Sequence, residues 1–341
     1  MASPDSDRKF LIESYSRLRD VVAARDESTI PTPSSISAAV SSLPTPPSPH
    51  HQEGGGESDH EATDSLLPAQ GLGPEATVTH LLSDVVPGLN SQTLSSRYFG
   101  FVTGGILPVA EAADNMVSAL DQNVQVHLPT HSASTYVEDS ALSMLISLLD
   151  LGPRSDWPAC TFTTGATGSN IMGLACGREA VISARLAPET LLLSSVSEMG
   201  LLAACQAAGI KGIQILTSMG HSSLSKAASL VGLGHHAVKE LGASETEPWR
   251  LDLDAVEREL AKDTAIASII VVSAGEVNTG RFALHALDMP KLRSLADRYR
   301  AWIHVDGGML HLLSLSILSL QIPSFRNIRG KLIKNPRVAI L

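Results

Sequence analysis

The stretch GIQILTSMGHSSLSKAASLVGLGHHAVK, Gly212 to Lys239, decides the fold. It opens on a short β-branched and leucine run, Gly212–Thr217. A glycine- and serine-rich turn follows, and Leu224–Leu230 has helical spacing. A second run, His235–Lys239, closes the stretch. Strand, turn, helix and strand within 28 residues form a unit that ordinarily builds a parallel sheet. The same rhythm extends both ways. Further strands are expected at Cys160–Thr164, Leu191–Ser194, Ile266–Val272 and Ala301–Val305. Helices are expected at Thr167–Arg185, Gly200–Ala208, Asp252–Ala261 and Met289–Arg300. Strands alternating with helices give a mostly parallel sheet with helices on both faces, an α/β fold. Ligands of such sheets sit beyond the carboxyl ends of the strands, so those ends are where chemistry is sought.

Upstream the pattern is helical. Asp7–Ala24 has apolar residues near a 3.6 period, Pro74–Val85 reads as a helix stopped by Pro87-Gly88, and Val109–Val124 and Ser134–Leu151 read as two more. Between the first two lies a tract of different composition, with PTPPSP and HHQEGGGESDHE, which buries too little apolar surface to offset its ordering. The chain therefore divides into an N-terminal helix at 1–27, a disordered insertion at 28–70, a helical segment at 71–130, an α/β domain at 131–308 and a tail at 309–341.

Composition narrows the classes of function. The 341 residues carry 25 Lys+Arg against 35 Asp+Glu, a formal charge of −10, which argues against a polyanion-binding surface and hence against nucleic acid. Cys160, Cys176 and Cys205 are odd in number and widely spaced, so they read as reduced thiols and not as a disulfide framework or zinc site. His50, His51 and His60 read as solvated histidines, and no metal site is expected. The N-terminus has no apolar signal region, and the longest apolar stretch, about Gly308–Ile322, is shorter than the ~18 apolar residues of a membrane span. A cytoplasmic protein without membrane contact is expected.

Three places can carry chemistry. The turn Thr163-Thr164-Gly165-Ala166-Thr167-Gly168-Ser169-Asn170 precedes a long helix, whose free N–H groups and positive end suit a phosphate. Taken alone it is equally an ordinary capped turn. Its TGATG also resembles a dinucleotide-binding turn, which would make a reductase, but Ile171 stands where the third glycine belongs. No lysine follows the glycines, so it is not a Walker A loop. His221 lies just past a strand, among glycine and serines. Asp306 ends the strand Trp302-Ile303-His304-Val305-Asp306, where a carboxylate needs a partner, such as a cationic cofactor, to stay charged.

In this order the motifs resemble the large domain of group II pyridoxal-phosphate-dependent decarboxylases, the relatives of aromatic-amino-acid and glutamate decarboxylases. Arg97–Gly105 (RYFGFVTGG), Asp121-Gln122-Asn123, Val137-Glu138-Asp139, Phe162–Glu179, His221–Gly234, Gly275–Phe282 (GEVNTGRF) and Trp302–Gly308 all fall in family order, covering about Gly71 to Gly308. The resemblance implies a fold-type-I transferase-like domain, incomplete at its C-terminal side, that binds pyridoxal 5'-phosphate and decarboxylates an amino acid. Ala166 and Thr167 would hold the phosphate, His221 would stack on the ring, Asp306 would pair with the ring nitrogen, and Asn278 or Thr279 would lie near cofactor or substrate. A homodimer is implied too, although a partial domain makes that assembly harder.

The tail departs from the pattern. The Schiff-base lysine of the family follows a histidine some thirty residues past the aspartate, and MLHLLSLSILSLQIPSFRNIRGKLIKNPRVAIL holds no His-Lys pair. Lys334 is at nearly the right separation but in the wrong surroundings. The expectation is a family member without turnover. The alternatives are a catalytically silent cofactor- or partner-binding remnant and, behind it, the NAD(P)-binding reductase.

Overall fold

The computed structural model describes residues 4–24, 30–44, 70–102, 104–122, 126–187, 195–308 and 338–340. They fall into two compact units that meet in sequence at Asp121/Gln122.

The first unit is helical: α1 (Pro4–Ala24), α2 (Pro33–Ser42), α3 (Pro74–His80) and α4 (Pro108–Ala119). Polar contacts tie α1 to the later helices. Tyr15 donates to Glu111 Oε1 at 2.6 Å, Arg19 pairs with the same carboxylate at 3.3 Å, and Arg17 donates to Thr79 at 3.0 Å. Helix α2 corrects the reading of 28–70 as wholly disordered. Thr32 caps it by accepting from the Ser35 N–H at 3.1 Å, Pro33 starts it, and Ser34–Ser42 holds neither proline nor glycine. Ala39 on its inner side is buried against Gly88, where an added Cβ would come within 2.5 Å of the Ala39 Cβ. The average composition of the tract hid this ten-residue helix. Residues 45–69, with His50, His51 and His60, lie outside the described residues. Helix α3 stops at His80 and passes through a wider turn, Leu81–Val85, and a tight one, Val86–Gly88.

The second unit is a five-stranded sheet with helices. In chain order it comprises α5 (Ser134–Leu148), α6 (Ala166–Ser183), α7 (Val196–Ala207), β1 (Gly212–Thr217), α8 (Ser222–Leu230), β2 (Val238–Glu240), α9 (Leu253–Lys262), β3 (Ile266–Ser273), α10 (Met289–Arg298), β4 (Trp302–Asp306) and β5 (Val338–Ile340). The strand order is β2-β1-β3-β4-β5, and every neighbouring pair is parallel. The central strand β3, IASIIVVS, is buried from Ala267 onward, as a parallel strand covered on both faces must be. Alternation along the strands separates two cores. Leu216, Ile270, Val272, Ile303 and Val305 pack against Val256 of α9 and Leu292 of α10. Ile215, Ile269, Val271 and Trp302 pack against Leu174 of α6, Ala204 of α7 and Leu224 of α8. From β1 the chain steps to β2 on one side and then returns to β3 on the other. At such a reversal, ligands of open α/β sheets sit beyond the carboxyl ends of the flanking strands, here β1 and β3.

Two strand expectations need adjustment. Cys160–Thr164 forms no strand: Thr161, Phe162 and Thr164 are exposed, and no described strand pairs with them, so the turn before α6 is reached from an extended loop. His235–Ala237 is a tight helical turn begun at Gly234, and only Val238–Glu240 pairs with β1. Leu191–Ser194 lies outside the described residues. No strand was assigned in the tail, and Val338–Ile340 pairs in parallel with β4, Val338 opposite Ile303; residues 309–337 lie outside the described set. No helix among the described residues is long and apolar enough to cross a membrane.

Helix α9 is set by Asp252, whose Oδ1 accepts from the N–H groups of Asp254 at 2.8 Å and Ala255 at 3.0 Å. Asp252→Ala is expected to lower the unfolding free energy by about 1 kcal/mol, and Asp252→Asn by only a few tenths. Urea unfolding of both variants checks this, and equal losses would show that the cap bonds contribute little.

Candidate functional site

The site is built where α6, α8 and β4 begin or end. Gly165, just before α6, has φ 143° and ψ 173°, a backbone that side chains resist. It offers no side chain to cap the helix, and a Cβ there would meet nothing within 4 Å, so the ground before the helix is open. Thr163 shapes the turn by donating to the Gly165 carbonyl at 3.0 Å and taking the Ser169 hydroxyl at 2.7 Å. The N–H groups of the first turn have no acceptor within a helix, and they carry its positive end. Ala166 and Thr167, both exposed, sit there. Gly308, just past β4, lies beside them: a Cβ on it would be 3.8 Å from the Ala166 Cβ.

One turn into α6, Asn170 is 2% exposed. Its Nδ2 lies 3.2 Å from Asp306 Oδ2 and 3.1 Å from Ser223 Oγ, and its Oδ1 is 2.7 Å from His304 Nε2. His304 and Asp306 are two apart on β4 and so face α6 together. Register fixes their height, with Asp306 opposite Ser273 and its carbonyl accepting from the Ala274 N–H at 2.8 Å. Asp306 is half-buried, accepts also from the Gly308 N–H at 3.3 Å, and forms no ion pair with a basic side chain among the described residues. His304 is fully buried. Burial pushes its imidazole down to about 4, against a smaller opposing pull from the Asp306 charge. Its Nδ1 has no hydrogen-bond partner among the described residues.

His221 caps α8. Its Nδ1 accepts from the Ser223 N–H at 3.2 Å and lies 2.8 Å from Ser223 Oγ, while the ring itself is exposed. Asn278 lies in the loop after β3 at the same edge of the sheet. That loop is organised by buried Glu276, which accepts from the N–H groups of Asn278 at 2.7 Å and Thr279 at 2.5 Å and from the Thr279 hydroxyl. Burial alone would raise the Glu276 carboxyl, but these bonds outweigh it and hold the group below its ordinary range. The Asn278 side chain also turns onto Glu276, so its described contact lies outside the Asn170 cluster.

Structure thus brings His221 and Asp306 together through Asn170 and Ser223, and sets Ala166 and Thr167 beside the same strand end. Sequence reasoning missed Asn170, Ser223 and His304 as members of the cluster. One signal was available for two of them. Asn170 is four residues beyond Ala166 on a helix, and His304 two before Asp306 on a strand, so each shares a face with a candidate.

No family model matches the chain. It is 30% identical over 159 residues to the L-2,4-diaminobutyrate decarboxylase of Acinetobacter baumannii, covering 45% of this chain and 29% of that protein. It is 28% identical over 267 residues to the aspartate 1-decarboxylase of Aliivibrio fischeri, covering 74% and 46% respectively. The chain therefore spans less than half the length of these curated relatives. Among solved structures it superposes on the glutamate decarboxylase domain of a Vibrio parahaemolyticus diaminobutyrate-pyruvate transaminase and L-2,4-diaminobutyrate decarboxylase with TM-score 0.66 and 21% identity, over 94% of this chain and 61% of that one. Oryza sativa TDC with PLP and tryptamine gives 0.56 and 20%, over 89% and 57%. The fold is the transferase-like fold of these solved structures, and the two curated relatives that the chain resembles are amino-acid decarboxylases.

Proposed function

We propose that the second unit binds pyridoxal 5'-phosphate and belongs to the machinery of an amino-acid decarboxylase. The observation that carries this reading is the Asp306 carboxylate. It is half-buried at the carboxyl end of β4, oriented by Asn170 at 3.2 Å and unpaired with any described basic side chain, beside the open N-terminus of α6. A carboxylate so placed suits a protonated ring nitrogen, and a helix N-terminus suits a phosphate. The residues present fit the cofactor.

In this reading the first-turn N–H groups at Ala166 and Thr167 hold the phosphate, His221 lies flat against the ring, and Asn278 stands at the rim of the same site. Asp306 keeps the proton on the ring nitrogen, and its partial burial weakens the screening that water would impose. When bound, the cofactor supplies a sink for the electrons left behind as carbon dioxide departs from an amino acid. By the same likeness the assembled protein is a cytoplasmic homodimer. The absence of a His-Lys pair after Gly308 favours a second reading, a domain that holds the cofactor non-covalently without turnover.

Equilibrium dialysis of the full chain against pyridoxal 5'-phosphate tests the proposal. Asp306→Asn keeps the shape but loses the charge, and is expected to weaken binding about tenfold. Equal affinity in parent and variant would remove Asp306 from the role. Binding of NAD(P) in place of pyridoxal phosphate would return the Thr164–Gly168 turn to the reductase reading.

A further inference from the structure

We propose that Asn170 is a positioning residue whose single carboxamide orients Asp306 and, through the Ser223 hydroxyl, adds a second donor to His221 Nδ1 beside the Ser223 N–H; as a device for holding a cofactor this rests on the reading above. Donor and acceptor roles allow only one arrangement of the cluster. His221 Nδ1 accepts the Ser223 N–H, so it carries no proton of its own. The Ser223 hydroxyl, 2.8 Å away, must therefore donate to it, leaving the Ser223 oxygen to accept from Asn170 Nδ2 at 3.1 Å. The second Nδ2 proton goes to Asp306 Oδ2, since a carboxylate only accepts. Both amide protons are then used, and Asn170 Oδ1 faces His304 Nε2, which must carry that ring's proton.

Flipping the amide would set Oδ1 against a carboxylate oxygen and a hydroxyl whose proton is already engaged. The orientation is therefore unique. The hydrogen bonds run from His304 through Asn170 and divide there, one branch to Asp306 and the other through Ser223 to His221. His221 is left with its proton on Nε2 and one ring edge tied down. The buried imidazole of His304 donates to the amide without adding a charge beside Asp306. Three chain segments, α6, α8 and β4, are pinned by one side chain.

The variants separate the branches. Asn170→Asp is nearly isosteric, but its carboxylate cannot donate to Asp306 and draws the Ser223 hydroxyl away from His221. Ser223→Ala removes only the hydroxyl link between Asn170 and His221, leaves the Ser223 N–H on Nδ1, and keeps the fold should the first variant disturb it. In the full chain labelled with 15N-histidine, the parent is expected to show His221 wholly as the Nε2–H tautomer. Asn170→Asp and Ser223→Ala both keep the Ser223 N–H on Nδ1, so Nε2–H stays the major form, but the loss of the hydroxyl donor is expected to shift the Nδ1 resonance toward that of a more weakly hydrogen-bonded acceptor. Affinity for pyridoxal 5'-phosphate, measured in parallel, is expected to fall about tenfold or more in Asn170→Asp and two- to threefold in Ser223→Ala. A His221 spectrum unchanged in both variants would overturn the proposal. A parent that binds no pyridoxal phosphate would overturn the cofactor reading, while the imidazole spectrum still decides the clamp.

Discussion

Gly177→Val is expected to lower the unfolding free energy of the second unit by about 3 kcal/mol. Buried positions on α6 run Asn170, Gly173, Leu174, Gly177 and Val181, a stripe at spacings of three and four that faces the sheet. At Gly177 the helix approaches β4 so closely that even a Cβ would come 2.7 Å from Trp302 Cδ1 and 3.1 Å from Cγ. The indole is a rigid ring, 7% exposed, in the core between helix and sheet, so it cannot step aside as a flexible side chain would. Gly177→Ala sets two terms against each other. Helix propensity gains about 1 kcal/mol, while overpacking costs roughly 1–3 kcal/mol, so a smaller net loss is expected. With Val the branched side chain adds bulk and forgoes most of the propensity gain. Trp302→Leu opens the space, and in that background the penalty of Gly177→Val should shrink by more than half. Urea unfolding of the four chains forms the cycle. A loss under 0.5 kcal/mol, or one that ignores the Trp302 change, would place the contact elsewhere. The consequence reaches the site, because Asn170 lies two turns earlier on the same stripe: a helix pushed off β4 carries its amide away from His304 and Asp306.

Much of this architecture was legible because the deciding signals are local. The β1 and β3 runs read as strands from their branched residues, and Asp252 marked the start of α9 by its own chemistry. Elsewhere the signal was not local. Cys160–Thr164 has a strand-like composition, but a strand exists only where a neighbour pairs with it. Helix α2 is encoded by its Thr-Pro start and by nine residues inside a tract whose average composition points the other way. Val338–Ile340 becomes a strand only because the exposed edge of β4 accepts it. The site divides similarly. Asp306 and the turn at Gly165 were visible as motifs, and their roles came from the family resemblance. The spacing from Ala166 could place Asn170 on the site's helix face, but not reveal it as a hub, since its partners follow 53, 134 and 136 residues later. Asn278 shows the converse: its motif drew attention, but its side chain serves Glu276.

Acidification is expected to cost the folded second unit about 3 kcal/mol as pH falls from 6.5 to 4, on account of His304 alone. The sign follows from the direction of the shift. Burial holds this imidazole at about 4 in the folded chain, against about 6.5 when exposed. Above 6.5 neither state carries the proton, and the full stability is present. Between the two values the unfolded chain takes up a proton that the folded chain refuses, so stability drops with pH. Below 4 both states are protonated and this group adds no further loss. The carboxylates held below their ordinary range, Glu276 among them, contribute in a lower window, since their stabilisation fades only as pH falls below ordinary carboxylate values. Most of the slope between pH 6.5 and 4.5 should therefore belong to His304. His304→Gln can still donate an N–H toward Asn170 Oδ1 but does not titrate there, and its urea midpoint is expected to stay flat across that interval. An equally steep fall in the variant would assign the slope to other groups. Protonation need not break the bond from Nε2 to Asn170, because the imidazolium keeps that proton. The cost is the charge itself, placed at 0% exposure with an Nδ1–H that finds no acceptor among the described residues. Acid should thus destabilise the fold before it rearranges the hydrogen bonds that orient Asp306.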